Sequence, residues 1–352
     1  MIKVYKLHNK NGIEVTALNF GGIIHSIKIP NRDGSSVDIV LGLNSYNDYL
    51  SEVYTKENPY FGGIIGRCSN IIKDGTFVLE GKAYILDKNY IEHNLHGGSI
   101  GFDKVFWTSE MVLRENNPVL KLSYLSKDME EGFPGNLEVM ATYELTDENE
   151  LIIDYLAKTD KKTVVNLTNH TYFNLKGEGN GNILDHILYI NSDTYTENNK
   201  DLVPTGLLKK VQNTPLDFRK PKTIGSDIHS AHDQLIYGNG YDQNFCLKKR
   251  SENSLEIAAT VEEPVSGRRM EVFTTSPGLQ LYTGNCLNEN IIGKQNRPYF
   301  PKAGFCLETQ AFPDSPNNPH FPKIELSPKQ EYRQTTVYRF STNDLLAIDR
   351  PI

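Results

Sequence analysis

The chain is poor in cysteine, in tryptophan and in long apolar runs. Its four cysteines, Cys68, Cys246, Cys286 and Cys306, stand far apart with no C-x-x-C pair. Their spacing writes neither a disulfide frame nor a zinc site, and they read as reduced, mostly buried thiols. No apolar stretch of about 18 residues occurs, which excludes a helical membrane span. The segment Met1–Lys10 carries no signal-peptide core, so the cytoplasm is the expected location. Clustered basic residues are missing too. With 37 Lys and Arg against 44 Asp and Glu the net charge is -7, and nothing attracts nucleic acid or an anionic membrane. No nucleotide-binding loop and no H-E-x-x-H spacing appears, so neither a cofactor nor a metal is expected.

What is present is period-two alternation over a 352-residue chain that is 38% hydrophobic, enough for a sizeable core. Val139, Ala141, Tyr143 and Leu145 alternate with polar neighbours; after a turn at Asp147–Glu150, Leu151, Ile153, Tyr155 and Ala157 alternate again. This predicts a hairpin. A second is predicted at 76–79 and 82–86 around Glu80-Gly81. Further strands are expected at 11–18, 23–30, 119–125, 183–191, 255–261 and 270–275. Helical stripes are few and short, with Ser45–Leu50 the best. The pattern predicts an all-β fold, a large antiparallel β-sandwich formed as one domain over 1–352.

Four fragments gather chemistry: Asn166–Leu175, Asn94–Gly98, Gly240–Phe245 and Leu307–Gln310. They supply two imidazoles, two carboxylates and several amides, with little cation to meet a phosphate. That inventory suits proton transfer on a neutral polyhydroxylated substrate. Glu308, in an apolar run, is the strongest candidate base, because a half-buried carboxylate is costly unless it is paired or its raised pKa is used. His170 reads either as a strand histidine satisfied by its neighbours or as a general acid. His96, before Gly97-Gly98, is a turn residue or a ligand; Asp242 is an Asx-turn residue or a ligand. Gln280 either satisfies nearby backbone or joins them.

The fragments Leu95–Gly98, Gly101–Lys104, Asn166–Leu175, Tyr282–Asn285 and Phe305–Gln310 resemble the signatures of the aldose 1-epimerase (galactose mutarotase) family, in order, from about Gly21 to Phe340. The resemblance implies a galactose mutarotase-like supersandwich with a sugar cleft across one sheet, a monosaccharide substrate and no cofactor. It assigns Glu308 as base at the anomeric hydroxyl and His170 as acid at the ring oxygen. His96 would hydrogen-bond near that oxygen, Asp242 would bind ring hydroxyls, and Asn70 and Gln280 would support them.

One position departs from the pattern. Where the family reads G-R-x-[A/G]-[N/G]-R, this chain has Gly66-Arg67-Cys68-Ser69-Asn70-Ile71, so a sugar-binding arginine is replaced by Ile71. Arg67 matches the earlier arginine, taken as structural. Loss of a guanidinium fork suggests either a changed sugar preference, toward a pentose or a 6-deoxy sugar, or a gap filled by another residue with galactose, the sugar the resemblance implies, still accepted. Two other readings are a sugar-binding protein without turnover and a hexose-6-phosphate 1-epimerase, for which Arg268-Arg269 is the one adjacent arginine pair.

Overall fold

The alternating segments pair as their side chains dictate. In strands Leu137–Leu145 and Glu150–Thr159 the two predicted apolar rows are buried. The register sets Leu145 opposite Leu151 and Val139 opposite Ala157, so apolar cross-strand pairs line one surface. The turn between them starts one residue earlier than expected, and Glu150 belongs to the strand. The Thr146 hydroxyl accepts the N–H groups of Glu148 and Glu150, and Asn149 takes the left-handed conformation, φ 63°, which a short polar side chain tolerates. In the second hairpin, Thr76–Leu79 and Lys82–Ile85, Glu80 and Gly81 both have positive φ. That turn geometry matches the twist of paired strands.

The structure, a computed structural model, describes residues 1–31 and 35–342. A nine-stranded antiparallel sheet runs in the order Thr108–Arg114, Asn117–Ser126, Leu137–Leu145, Glu150–Thr159, Tyr332–Thr342, Arg268–Thr274, Glu256–Glu262, Ile187–Ile190 and Lys222–Thr223. A five-stranded sheet orders Pro204–Lys210, Ser192–Asn198, Asp242–Leu247, Gly278–Tyr282 and Cys306–Gln310. A four-stranded sheet is built from Val4–His8, Glu14–Leu18, Ile24–Pro30 and Ser36–Asp38. The fold is all-β, as expected.

Helices are short. Ser45 caps the 3₁₀ turn Tyr46–Leu50 through a capping box with Asp48, and Ser51 caps Glu52–Glu57. The helix Asp233–Gly238 has no counterpart among the expected elements. Between the two larger sheets, Phe245, Leu279, Leu281 and Leu307 join Leu151, Val272 and Tyr338 in one apolar cluster. Polar ties cross the same interface: the Tyr338 hydroxyl donates to the Leu307 carbonyl at 3.2 Å, and Gln334 Nε2 to the Thr309 carbonyl at 2.8 Å.

Candidate active site

Strand Cys306–Gln310 is buried on both faces. Period-two alternation turns Leu307 and Thr309 toward the nine-stranded sheet, which leaves Cys306, Glu308 and Gln310 on the other face. Register then decides their companions. Glu308 lies opposite Gln280, and Gln280 opposite Asn244; Cys306 lies opposite Tyr282, and Tyr282 opposite Asp242. Five polar side chains, Asp242, Asn244, Gln280, Glu308 and Gln310, therefore share one sheet face. Gln280 Nε2 donates to Asp242 Oδ1 at 2.6 Å. Glu308 Oε2, Gln280 Oε1 and the amide atoms of Asn244 and Gln310 are buried without a hydrogen-bond partner among the described residues. Such groups are costly unless a polar ligand meets them.

The histidines come from the facing segments. Backbone bonds to Gly63 O (2.9 Å) and from the Gly62 N–H (3.0 Å) fix His170, whose Nε2 stands 3.6 Å from Glu308 Oε1. His96 follows the strand Asn94–Leu95, which pairs with Ile71–Ile72. Its backbone N–H donates to Asn70 O at 3.0 Å, and its Nδ1 accepts the Asn70 N–H at 3.2 Å. Gly97 has φ 91°, and a Cβ there would lie 2.0 Å from the Gly66 carbonyl oxygen. No other residue fits beside His96. The two imidazoles meet edge to face at 5.3 Å, and Tyr60, Tyr172 and Tyr282 pack around His170 at 5.6, 5.1 and 6.3 Å.

Burial dominates the electrostatics. It pushes the Glu308 carboxyl well above the usual carboxylate range, and the Asp242 carboxylate adds to this. Asp242 is pushed up to about 6 by burial against the Gln280 hydrogen bond. Burial lowers His170 to about 4. It also lowers His96 well below the usual range, with His170 and Lys104 adding to the effect. Both shifts in the Glu308–His170 pair favour a proton shared between neutral partners over the ion pair.

His96, His170 and Glu308 offer ligating atoms within 4.8 Å of one another, a donor set that a metal could use. The His96 tautomer argues against it. With the Asn70 N–H on Nδ1, Nε2 carries the proton and is a donor, not a ligand. Two surface hollows, of about 520 and 430 Å³, lie elsewhere, beside Tyr195 and Tyr237 and beside Arg297 and Phe300. Buried, unmet polar atoms mark this site better than open volume does.

Residues 3–339 match the family model for aldose 1-epimerase. The chain belongs to the aldose 1-epimerase family. Galactose mutarotase of Sus scrofa is 43% identical over 329 residues, covering 94% of this chain and 91% of that one. Aldose 1-epimerase of Escherichia coli (strain K12) is 35% identical over 340 residues, covering 96% and 95%. The GalM/aldose epimerase homologue from C. elegans superposes with a TM-score of 0.86 at 27% identity, covering 98% and 100%. Family membership makes the chain an isomerase acting on aldoses.

All six residues singled out in the sequence lie in or against this cluster. Glu308, His170, Asp242 and Gln280 converge on it, and His96 packs on His170. Asn70 acts through its backbone on the His96 ring, while its Oδ1 accepts the Ile71 N–H at 2.8 Å. Asp242 opens a strand and is not an Asx-turn residue. Arg67 is structural: its guanidinium donates to Ser126 Oγ and to the carbonyls of Ser126, Lys127, Phe133 and Pro134. The arginine pair offers no phosphate site, since Arg268 is spent on Leu175 O and Asn31 Oδ1 and Arg269 on Glu271. Ile71 is buried, yet it stands outside the apolar clusters that absorb Ile72. Asn244, Gln310 and the tyrosine cage were missed. Gln310 was open to inference as the residue two past Glu308 on the same strand face.

Proposed function

We propose that the protein interconverts the α and β anomers of a neutral aldose by opening and reclosing the ring, with Glu308 as base and His170 as acid. The observation that carries this reading is the buried pair itself: His170 Nε2 and Glu308 Oε1 at 3.6 Å, at the head of a sheet face of unmet polar atoms. A sugar whose anomeric hydroxyl donates to Glu308 stabilises the carboxylate and moves the shared proton to His170. Glu308 then takes the O1 proton and C1–O1 becomes a carbonyl. The C1–O5 bond breaks, its electron pair goes to O5, and O5 takes the Nε2 proton of His170. Rotation about C1–C2 presents the other carbonyl face, and the steps reverse. His96, with its proton on Nε2, donates toward the ring oxygen. Asp242, aligned by Gln280, accepts sugar hydroxyls, and Asn70 holds His96.

The relatives' names point to galactose as an accepted sugar. Ile71, where an arginine would reach a sugar hydroxyl, shifts preference toward sugars that miss that contact least, such as xylose, arabinose or fucose. The four thiols are all free, which suits a reducing compartment, the cytoplasm. Polarimetry on fresh α-galactose, α-glucose, α-xylose, α-arabinose and α-fucose tests the substrate, with Ile71→Arg beside wild type. The variant should move the ranking toward galactose. An unchanged ranking would place specificity elsewhere.

A further inference from the structure

His170 has two ring nitrogens, and the proposed reaction uses one of them. Nε2 faces Glu308; Nδ1 faces the sulfur of Cys306 at 3.5 Å. The other neighbours of the ring are aromatic: His96, Tyr60, Tyr172 and Tyr282. Among the described residues Glu308 is the one carboxyl paired with it. Cys306 is fully buried in a strand whose pairing with Gly278–Tyr282 fixes its position.

We propose that Cys306 is a positioning residue for the acid: its sulfur accepts the Nδ1–H of His170 and holds the tautomer in which Nε2 alone exchanges protons. This role rests on the reading of His170 as the acid.

The argument follows from proton bookkeeping around the ring. Imidazolium carries hydrogen on both nitrogens. After Nε2 protonates the ring oxygen, neutral His170 must keep its remaining proton on Nδ1, or Nε2 could not receive a proton on the return step. Nδ1 is therefore a donor in both states that the cycle visits, and the group it meets must accept throughout. Sulfur accepts weakly. A carboxylate in that place would fix the same tautomer but would also stabilise the imidazolium and weaken the acid. A thiol orients His170 and leaves its proton affinity low, which suits donation to an ether oxygen of very low basicity. Burial, with the Glu308 and Asp242 carboxylates adding, holds the Cys306 thiol well above its usual range, so it stays a neutral S–H.

The test is nitrogen-15 NMR of the histidine ring together with kinetics. In wild type, neutral His170 should show the Nδ1–H tautomer. Cys306→Ala should mix the tautomers and lower kcat about tenfold with KM unchanged, the low end of what outer partners of functional imidazoles contribute. Cys306→Ser should restore the tautomer and most of kcat. Because oxygen accepts more strongly, its alkaline limb should also move to higher pH. An Nε2–H tautomer in wild type, or a Cys306→Ala protein with unchanged tautomer and kcat, overturns the role. If Cys306→Ala does not fold, the wild-type spectrum and the Cys306→Ser pH profile decide. An inactive but folded wild type overturns the functional reading and this role with it; an active wild type with the wrong tautomer overturns this role alone.

Discussion

Glu308 sits in a place that ordinary stability would refuse a carboxylate. Burial raises its pKa, with Asp242 adding to the effect. A group whose folded pKa lies above its unfolded value favours folding below the unfolded pKa, about 4.5, and loses that contribution as pH rises through the folded pKa. Glu308→Gln removes the titration, so its melting-temperature advantage over wild type should grow from pH 5 to pH 8; a constant difference would count against the raised pKa. The same substitution should lower kcat by about a hundredfold or more, the range of a lost general base. Asp242 titrates too, pushed up to about 6. If its carboxylate accepts sugar hydroxyls, kcat/KM should rise through about pH 6 in wild type. Asp242→Asn should lose that limb and raise KM. A limb that persists in Asp242→Asn belongs to another group.

At the scale of elements, the site is an outcome of pairing. The hairpins were legible because alternation and turn residues agree, and Glu308 was legible as a candidate base because it interrupts an apolar run. Helix Asp233–Gly238 was not: six residues carry too little periodicity to announce themselves. Asp242 read as a loop residue because Asn239 and Gly240 precede it. In the fold Asn239 ends the helix at φ 49°, and Gly240, φ 133°, turns the chain directly into the strand. Convergence of the four fragments lay beyond a bottom-up reading, since it depends on the order of strands distant in sequence. It came from the family resemblance instead. Beside His96 the constraint is backbone against backbone. Gly97→Ala drives a Cβ to 2.0 Å from Gly66 O and should cost on the order of 3 kcal/mol by strain, read as a lowered melting temperature with a larger loss in kcat/KM. Wild-type stability in Gly97→Ala would show that this turn yields.

For the whole molecule, the net charge of -7 has no opposite charge to steer when the substrate is a neutral sugar. Raising salt should therefore leave kcat/KM for a neutral aldose unchanged; a steep decline would point to a charged substrate. Chelation should also leave the rate unchanged, because His96 presents a proton, not a lone pair, to the cluster. The most direct test is polarimetry of fresh α-galactose with wild type and Glu308→Gln, against the uncatalysed rate in the same buffer. The proposed chemistry predicts acceleration by wild type and the loss of about a hundredfold or more of it in the variant. Glu308→Gln at the wild-type rate, or a folded wild type at the buffer rate for every aldose tried, would contradict it.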